Sequence, residues 1–283
     1  MKRLLKFMAG FATLVIALCS FMTCSKSESA NESAKISNDE ASVFVQACSD
    51  GSYEYVKSML KRNKAFVVAK NGRGDTGLMH AAGKGHKNIV DLLLKNGAYV
   101  DTRDKDGDTA LQWAIAKGHI DVAKSLINKG ANVNITNNSG MSLLMWAARY
   151  GQKESAKLLI EKGADLNALN NEKMDAFLLA ANYGEKDVVE LLLDNGADVN
   201  AKIEAGSTAL MFAASKGYKD IAELLIERGA DINLKDSVPR SWTELTNNGP
   251  KRRQVSGSSA LEYAVRDGHE DIAELLRSKG AQE

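Results

Sequence analysis

Cysteine is scarce and badly placed for cross-linking: of three in 283 residues, Cys19 and Cys24 lie in the first two dozen positions, leaving Cys48 alone in the body. An internal disulfide framework is therefore excluded beyond residue 24, and Cys48, among Val43, Phe44, Val45 and Ala47, reads as a core residue. Proline is scarcer still. Pro239 and Pro250 are the only two, and both fall in one stretch near the C-terminal end. Neither sign of charge dominates, with 37 Lys and Arg against 36 Asp and Glu. No long-range field points to nucleic acid, and none is expected as a partner. The sequence also has no G-x-S-x-G, phosphate-binding loop, dinucleotide-binding glycine pattern or H-E-x-x-H helix. No cofactor, metal, small-molecule substrate or catalytic residue is assigned. Acidic pairs such as Glu185 and Asp187 read as solvated.

What is present is a period. The stretch Gly206–Asn233 (GSTALMFAASKGYKDIAELLIERGADIN) returns as Gly140–Asn167 and Gly107–Asn134, and the positions Gly74, Gly107, Gly140, Lys173 and Gly206 are each 33 apart. Within a unit, Thr76, Thr109, Ser142, Asp175, Thr208 or Ser259 can cap a short first helix. Small residues such as Ala114 and Ala147–Ala148 allow close stacking. Gly85, Gly118, Gly151, Gly184, Gly217 and Gly268 can end that helix in the left-handed conformation. A second helix then carries aliphatic runs such as Leu92–Leu94 and Leu224–Ile226, closed by Gly-Ala. His86, His119 and His269 share one position at its start. Adjacent repeats would hold them about 8–10 Å apart, too far to share a metal, so their role reads as structural. Trp113, Trp146, Phe212 and Tyr263 also share one position and read as a packing stripe.

The 33-residue helix–turn–helix–loop, with T-x-L-x-x-A, G-H and L-L-L-x-x-G-A-D-V-N, resembles the ankyrin repeat over about residues 41–283. Ala110 and Ala209 stand where the family has Pro, and Gln112, Met145 and Met211 where it has His. The resemblance implies an all-α solenoid of about seven helix–turn–helix units with short β-turn or loop tips. The unit at 41–71 is a degenerate N-terminal cap, five regular repeats cover 74–236, and 257–283 is a polar C-terminal capping repeat with Arg277. At Lys173 no break in the stack is expected. The resemblance further implies a protein-binding concave face presenting Arg73, Asp75, Lys84, Lys105, Asp108, Lys117, Met141, Arg149, Tyr150, Met174, Asn182, Tyr183, Lys216 and Arg266.

Two regions lie outside the period. Residues 1–23 join a basic start (Lys2, Arg3, Lys6) to an apolar run somewhat short for a membrane span, the shape of a signal peptide. Phe21-Met22-Thr23-Cys24 resembles a relaxed bacterial lipoprotein box, which implies lipidation at Cys24; ordinary cleavage near Cys19 and an uncleaved anchor are the other readings. The polar segment 24–40 is expected to be a disordered tether. After Asp236 the period fails: Gly206 to Gly257 spans 51 residues, 18 more than 33. The insertion, 237–256, is expected to be a loop bearing Trp242 and the basic run Lys251, Arg252 and Arg253, either packed back on the stack or docking an acidic partner. Together these features point to an exported, lipid-anchored scaffold of the bacterial cell envelope that binds another protein. The alternatives are an envelope factor acting by self-association or by stabilising a resident enzyme, and an enzyme with an unrecognised site near 237–256.

Overall fold

The structure is a computed structural model that describes residues 36–246 and 249–282. The expected signal peptide and Cys24 lie outside the described residues. Among the described residues, seven helix pairs follow in order. The first is α1 (Asn38–Ser49) with α2 (Tyr53–Arg62), followed by a 3-10 turn at Lys64–Val68. Then come α3 (Gly77–Gly83) with α4 (Lys87–Lys95), α5 (Ala110–Ala116) with α6 (Ile120–Asn128), and α7 (Leu143–Arg149) with α8 (Lys153–Glu161). The last are α9 (Ala176–Tyr183) with α10 (Lys186–Asp194), α11 (Ala209–Lys216) with α12 (Lys219–Glu227), and α13 (Ala260–Asp267) with α14 (Glu270–Ser278). First helices stack on first helices and second on second, giving the expected all-α solenoid.

The local causes are those the sequence names. Each regular first helix begins at a side-chain cap, such as Thr109 Oγ1 accepting from Gln112 N at 3.4 Å and Asp175 Oδ1 from Leu178 N at 2.8 Å. These helices have only seven or eight residues, too short to persist alone, so neighbours must hold them. The core that does so runs through the middle leucine of each second helix. Leu93, Leu126, Leu159, Leu192, Leu225 and Leu276 are essentially inaccessible, each worth about 1.5–3 kcal/mol of burial. At the first unit, Phe44 stacks on Phe66 with centroids 5.3 Å apart and closes the core. Cys48 is buried there, as expected, and burial pushes its thiol up to about 12. A Cβ on Gly77 would come within 2.7 Å of the Cys48 sulfur, which explains why this repeat has glycine after its cap.

Three features differ from the sequence reading. Residues 38–40 belong to α1 and not to the tether. Ser37 Oγ accepts from Glu40 N, and the Glu40 carboxylate accepts from Ser37 N, both at 3.2 Å. That backbone bond, with Arg62 at 2.6 Å, holds the Glu40 carboxyl below its usual range. The inserted segment is not a loop: Pro239–Thr246 (β1) and Gly249–Ser256 (β2) pair antiparallel. Lastly, Glu185 is half-buried over Gly151 and not on a solvated face, and burial raises its pKa.

The two-stranded ribbon leaves the repeat geometry intact. In an ordinary tip, Asp104 N donates to Asp108 O at 3.0 Å, while Asp104 Oδ1 accepts from Asp106 N and Asp108 N. In the interrupted tip, Asp236 N donates to Ser258 O at 3.1 Å, and Asp236 Oδ1 accepts from Val238 N and Ser258 N. Gly257 has φ 88°, matching Gly74 at 88° and Gly107 at 82°. The ribbon thus grows between the third and fourth positions of a closed turn.

Candidate functional site

Side chains at the starts of the second helices show how repeats are joined. The His86 ring lies over Gly51 and its Nε2 is 2.9 Å from Ser49 O; His119 reaches Gly83 O at 3.2 Å and His269 reaches Ser215 O at 3.1 Å. The seat needs a glycine, because a Cβ on Gly85 or Gly217 would fall within 2.7 Å of the imidazole. These three histidines join repeats. No group of His, Cys, Asp and Glu suited to a metal occurs among the described residues.

The other edge of the first helices forms a groove with two adjoining cavities. The first, of about 510 Å³, is walled by Trp113, Trp146, Gln112 and His80, with Lys84, Lys117 and Tyr150 at its rim. It lies where α5 packs on α7 less closely than any other first helix packs on its neighbour. The second, of about 680 Å³, is more polar and continues past Asp108 and Trp146 to Arg149, Asn182 and Tyr183. Arg149 sits 4.9 Å from the Tyr183 ring centroid and 5.8 Å from that of Trp146, which stacks on Tyr150 at 5.6 Å.

Polar contacts between the cavities turn on one side chain. Asp104 Oδ2 accepts from Trp113 Nε1 at 3.3 Å, but the equivalent of Asp104 in the next repeat is Asn137. Asn137 spends its amide hydrogens on Asp108 at 2.8 Å, and Trp146 Nε1 has no partner. Gln112 Oε1 is likewise unpartnered, its amide nitrogen being committed to Asp108. Burial pushes the Asp108 carboxyl up, partly offset by the hydrogen bond from Asn137.

Of the predicted contact residues, Lys84, Asp108, Lys117 and Tyr150 line the first cavity, and Asp108, Met141, Arg149, Met174, Asn182 and Tyr183 the second. Arg73, Lys105, Lys216 and Arg266 are exposed but lie outside both. Lys105 Nζ donates to Gly72 O at 2.9 Å, and Arg266 is tied to Asp267 at 2.6 Å. Three presentations need correction: Asp75, Met141 and Met174 are only 6–7 % exposed. The position before the helix cap is folded under by the tip's own hydrogen bonds, Asn71 Oδ1 accepting from Asp75 N and Asn170 Oδ1 from Met174 N. Trp242, Lys251, Arg252 and Arg253 lie on the ribbon, with Trp242 opposite Arg253 and Thr243 opposite Arg252. Trp113 and Trp146, read as packing residues, pack on the core with one side and wall the cavity with the other. The sequence signal for that cavity is Gly83 and Ala116, small residues where the next repeat has Arg149.

A stack of helix pairs joined only to their neighbours, with variable residues along one groove, defines a helical repeat protein suited to holding another protein. The profile of the family described as Ankyrin repeats (3 copies) matches residues 17–104, 44–137, 100–170 and 144–236, well over half of the chain, and the chain belongs to the ankyrin-repeat family. The matched region ends at Asp236, where the ribbon interrupts the period. No curated protein matches the chain.

Proposed function

We propose that this is an exported interaction module that holds another protein at the bacterial cell envelope, binding it along the groove formed by the first helices. The observation that carries the reading is the groove's chemistry. Lys84, Lys117 and Lys216 are exposed there without an ion-pair partner among the described residues, beside half-exposed Tyr150 and Tyr183. The second helices instead pair their charges, as in Lys87 with Asp91 and Arg228 with Asp194. Tyrosine and arginine are enriched where protein partners bind strongly. Attachment at the envelope rests on the signal-like start and Cys24. Among the described residues no helix is long and apolar enough to cross a membrane.

Crosslinking in cells followed by mass spectrometry tests the groove, comparing the native chain with one carrying Lys216→Glu and Arg149→Glu. Loss of the captured protein is expected; an unchanged set of partners refutes the groove. Incorporation of a labelled lipid, lost in Cys24→Ala, tests the anchor. Persisting label would mean another residue is modified.

A further inference from the structure

The rim and wall of the first cavity indicate what kind of segment it takes. Along the groove, Gly83, Ala116 and Arg149 are equivalent positions in successive repeats. Over Trp146 the Arg149 guanidinium fills the space, at 5.8 Å from the ring. Over Trp113 no guanidinium does: the His80 ring tilts against it at 5.1 Å, the residues at the two equivalent positions are Gly83 and Ala116, and the cavity of about 510 Å³ opens. Glycine at 83 is also required by shape, since a Cβ there would come within 2.9 Å of Trp113. The void therefore follows from small residues at two positions, of which Gly83 is demanded by packing against Trp113 and Ala116 is not, since the next repeat carries Arg149 there.

Its charge is uncompensated. Lys84 and Lys117 are exposed at the rim, and neither makes an ion pair or side-chain hydrogen bond with any described residue. The one carboxylate on the wall, Asp108, accepts from Gln112 and Asn137 and leaves the lysines alone. Neighbouring repeats pack about 8–10 Å apart, and four residues of extended chain span about 13 Å, a difference the long lysine stems cover. Two carboxylates four residues apart lie on one face of an extended segment with the residue midway between them, so they can face the two lysines while that middle side chain enters the cavity.

We infer, building on the groove reading above, that the cavity between Trp113 and Trp146 is the anchor site for an extended acidic peptide segment of the partner. One aromatic or branched aliphatic side chain fills it, and flanking carboxylates meet Lys84 and Lys117. Aromatic walls supply the burial that dominates such anchors, and the lysines set approach and register.

A display library of random peptides of about twelve residues, panned on the native chain, tests this directly. Two variants serve as controls. Ala116→Arg inserts the residue that the next repeat already carries, and Lys84→Glu with Lys117→Glu alters only exposed side chains; circular dichroism establishes that each is folded. The expected result is enrichment of sequences in which a bulky apolar residue lies midway between Asp or Glu residues about four apart. Synthetic copies should quench tryptophan fluorescence and bind either variant at least about tenfold more weakly. Binding to the native chain should weaken as NaCl rises from ~50 to ~300 mM. No enrichment, enrichment without the acidic flanks, or peptides indifferent to both variants overturns the inference. The groove reading fails on a different readout, the crosslinks unchanged by Lys216→Glu and Arg149→Glu, so one can fall without the other.

Discussion

Lys173 offers a clean test of how this solenoid distributes strain. It is the only non-glycine among the described residues with positive φ, at 62°, and it occupies the tip position filled elsewhere by Gly74, Gly107, Gly140, Gly206 and Gly257 at 74–88°. A left-handed conformation costs an L-residue about 1–2 kcal/mol. Glycine removes that strain but loses more backbone entropy on folding, about 0.5–1 kcal/mol relative to alanine. The Lys173 side chain is exposed and makes no hydrogen bond or ion pair with the described residues that would be lost. Lys173→Gly should therefore stabilise the protein by about 0.5–1 kcal/mol, a rise in Tm of about 1–4 °C for a domain of this size. The reverse change should be worse than the forward one is good. At Gly140 a Cβ would meet Asn171 Oδ1 at 2.9 Å and Asn170 Cα at 3.1 Å, so Gly140→Lys adds a clash to the same strain. Urea denaturation followed by circular dichroism, with the slope compared between variants, measures both. A Lys173→Gly protein that is less stable than the native one would refute the argument, because it would mean that the lysine gains from this position more than its backbone loses.

Further outcomes follow from other sites. Removing Pro239–Ser256 takes out the 18 residues by which the period is exceeded and joins Val238 to Gly257 in a turn whose hydrogen bonds already close around Asp236; the melting profile should change little, and a collapse of the last repeat would show that the ribbon supports the stack. Cys48, buried with its thiol pushed up to about 12, should resist a maleimide at pH 8 until urea unfolds the first unit; rapid labelling of the native chain would contradict its burial. Asp267 is held at about 2, mainly by its hydrogen bond from Arg266, so its stabilisation is present above pH 4 and is lost as pH falls through 2. Asp267→Asn should cost well under about 1 kcal/mol at pH 7, since the pair is partly solvated, and only a small part of that at pH 2; a loss that persists undiminished in acid would assign the effect to packing.

The repeat was legible because its signals are local. A cap such as Thr109 and a terminating glycine such as Gly118 act within one turn of helix, so their spacing carries their meaning. The groove was less so. Trp113 looks like any aromatic in a packing stripe, and only the small residues Gly83 and Ala116, from two different repeats, decide that one side of it stays open. Asp75, Met141 and Met174 were misplaced for a related reason: backbone bonds to the Asn at the start of the tip tuck this position inward, and nothing in the residue type announces it. The ribbon was read as a loop because its strands do not alternate apolar and polar residues.

The side chains seated over glycines give the array a mechanical character. At its two ends the seats hold histidines that also bond the preceding repeat's backbone. In the middle they hold Gln152, Glu185 and Tyr218, which rest on Gly118, Gly151 and Gly184 with no such bond. On its helical side the array is thus fastened by backbone bonds from histidine towards its extremities and by packing over glycine alone at these middle seats.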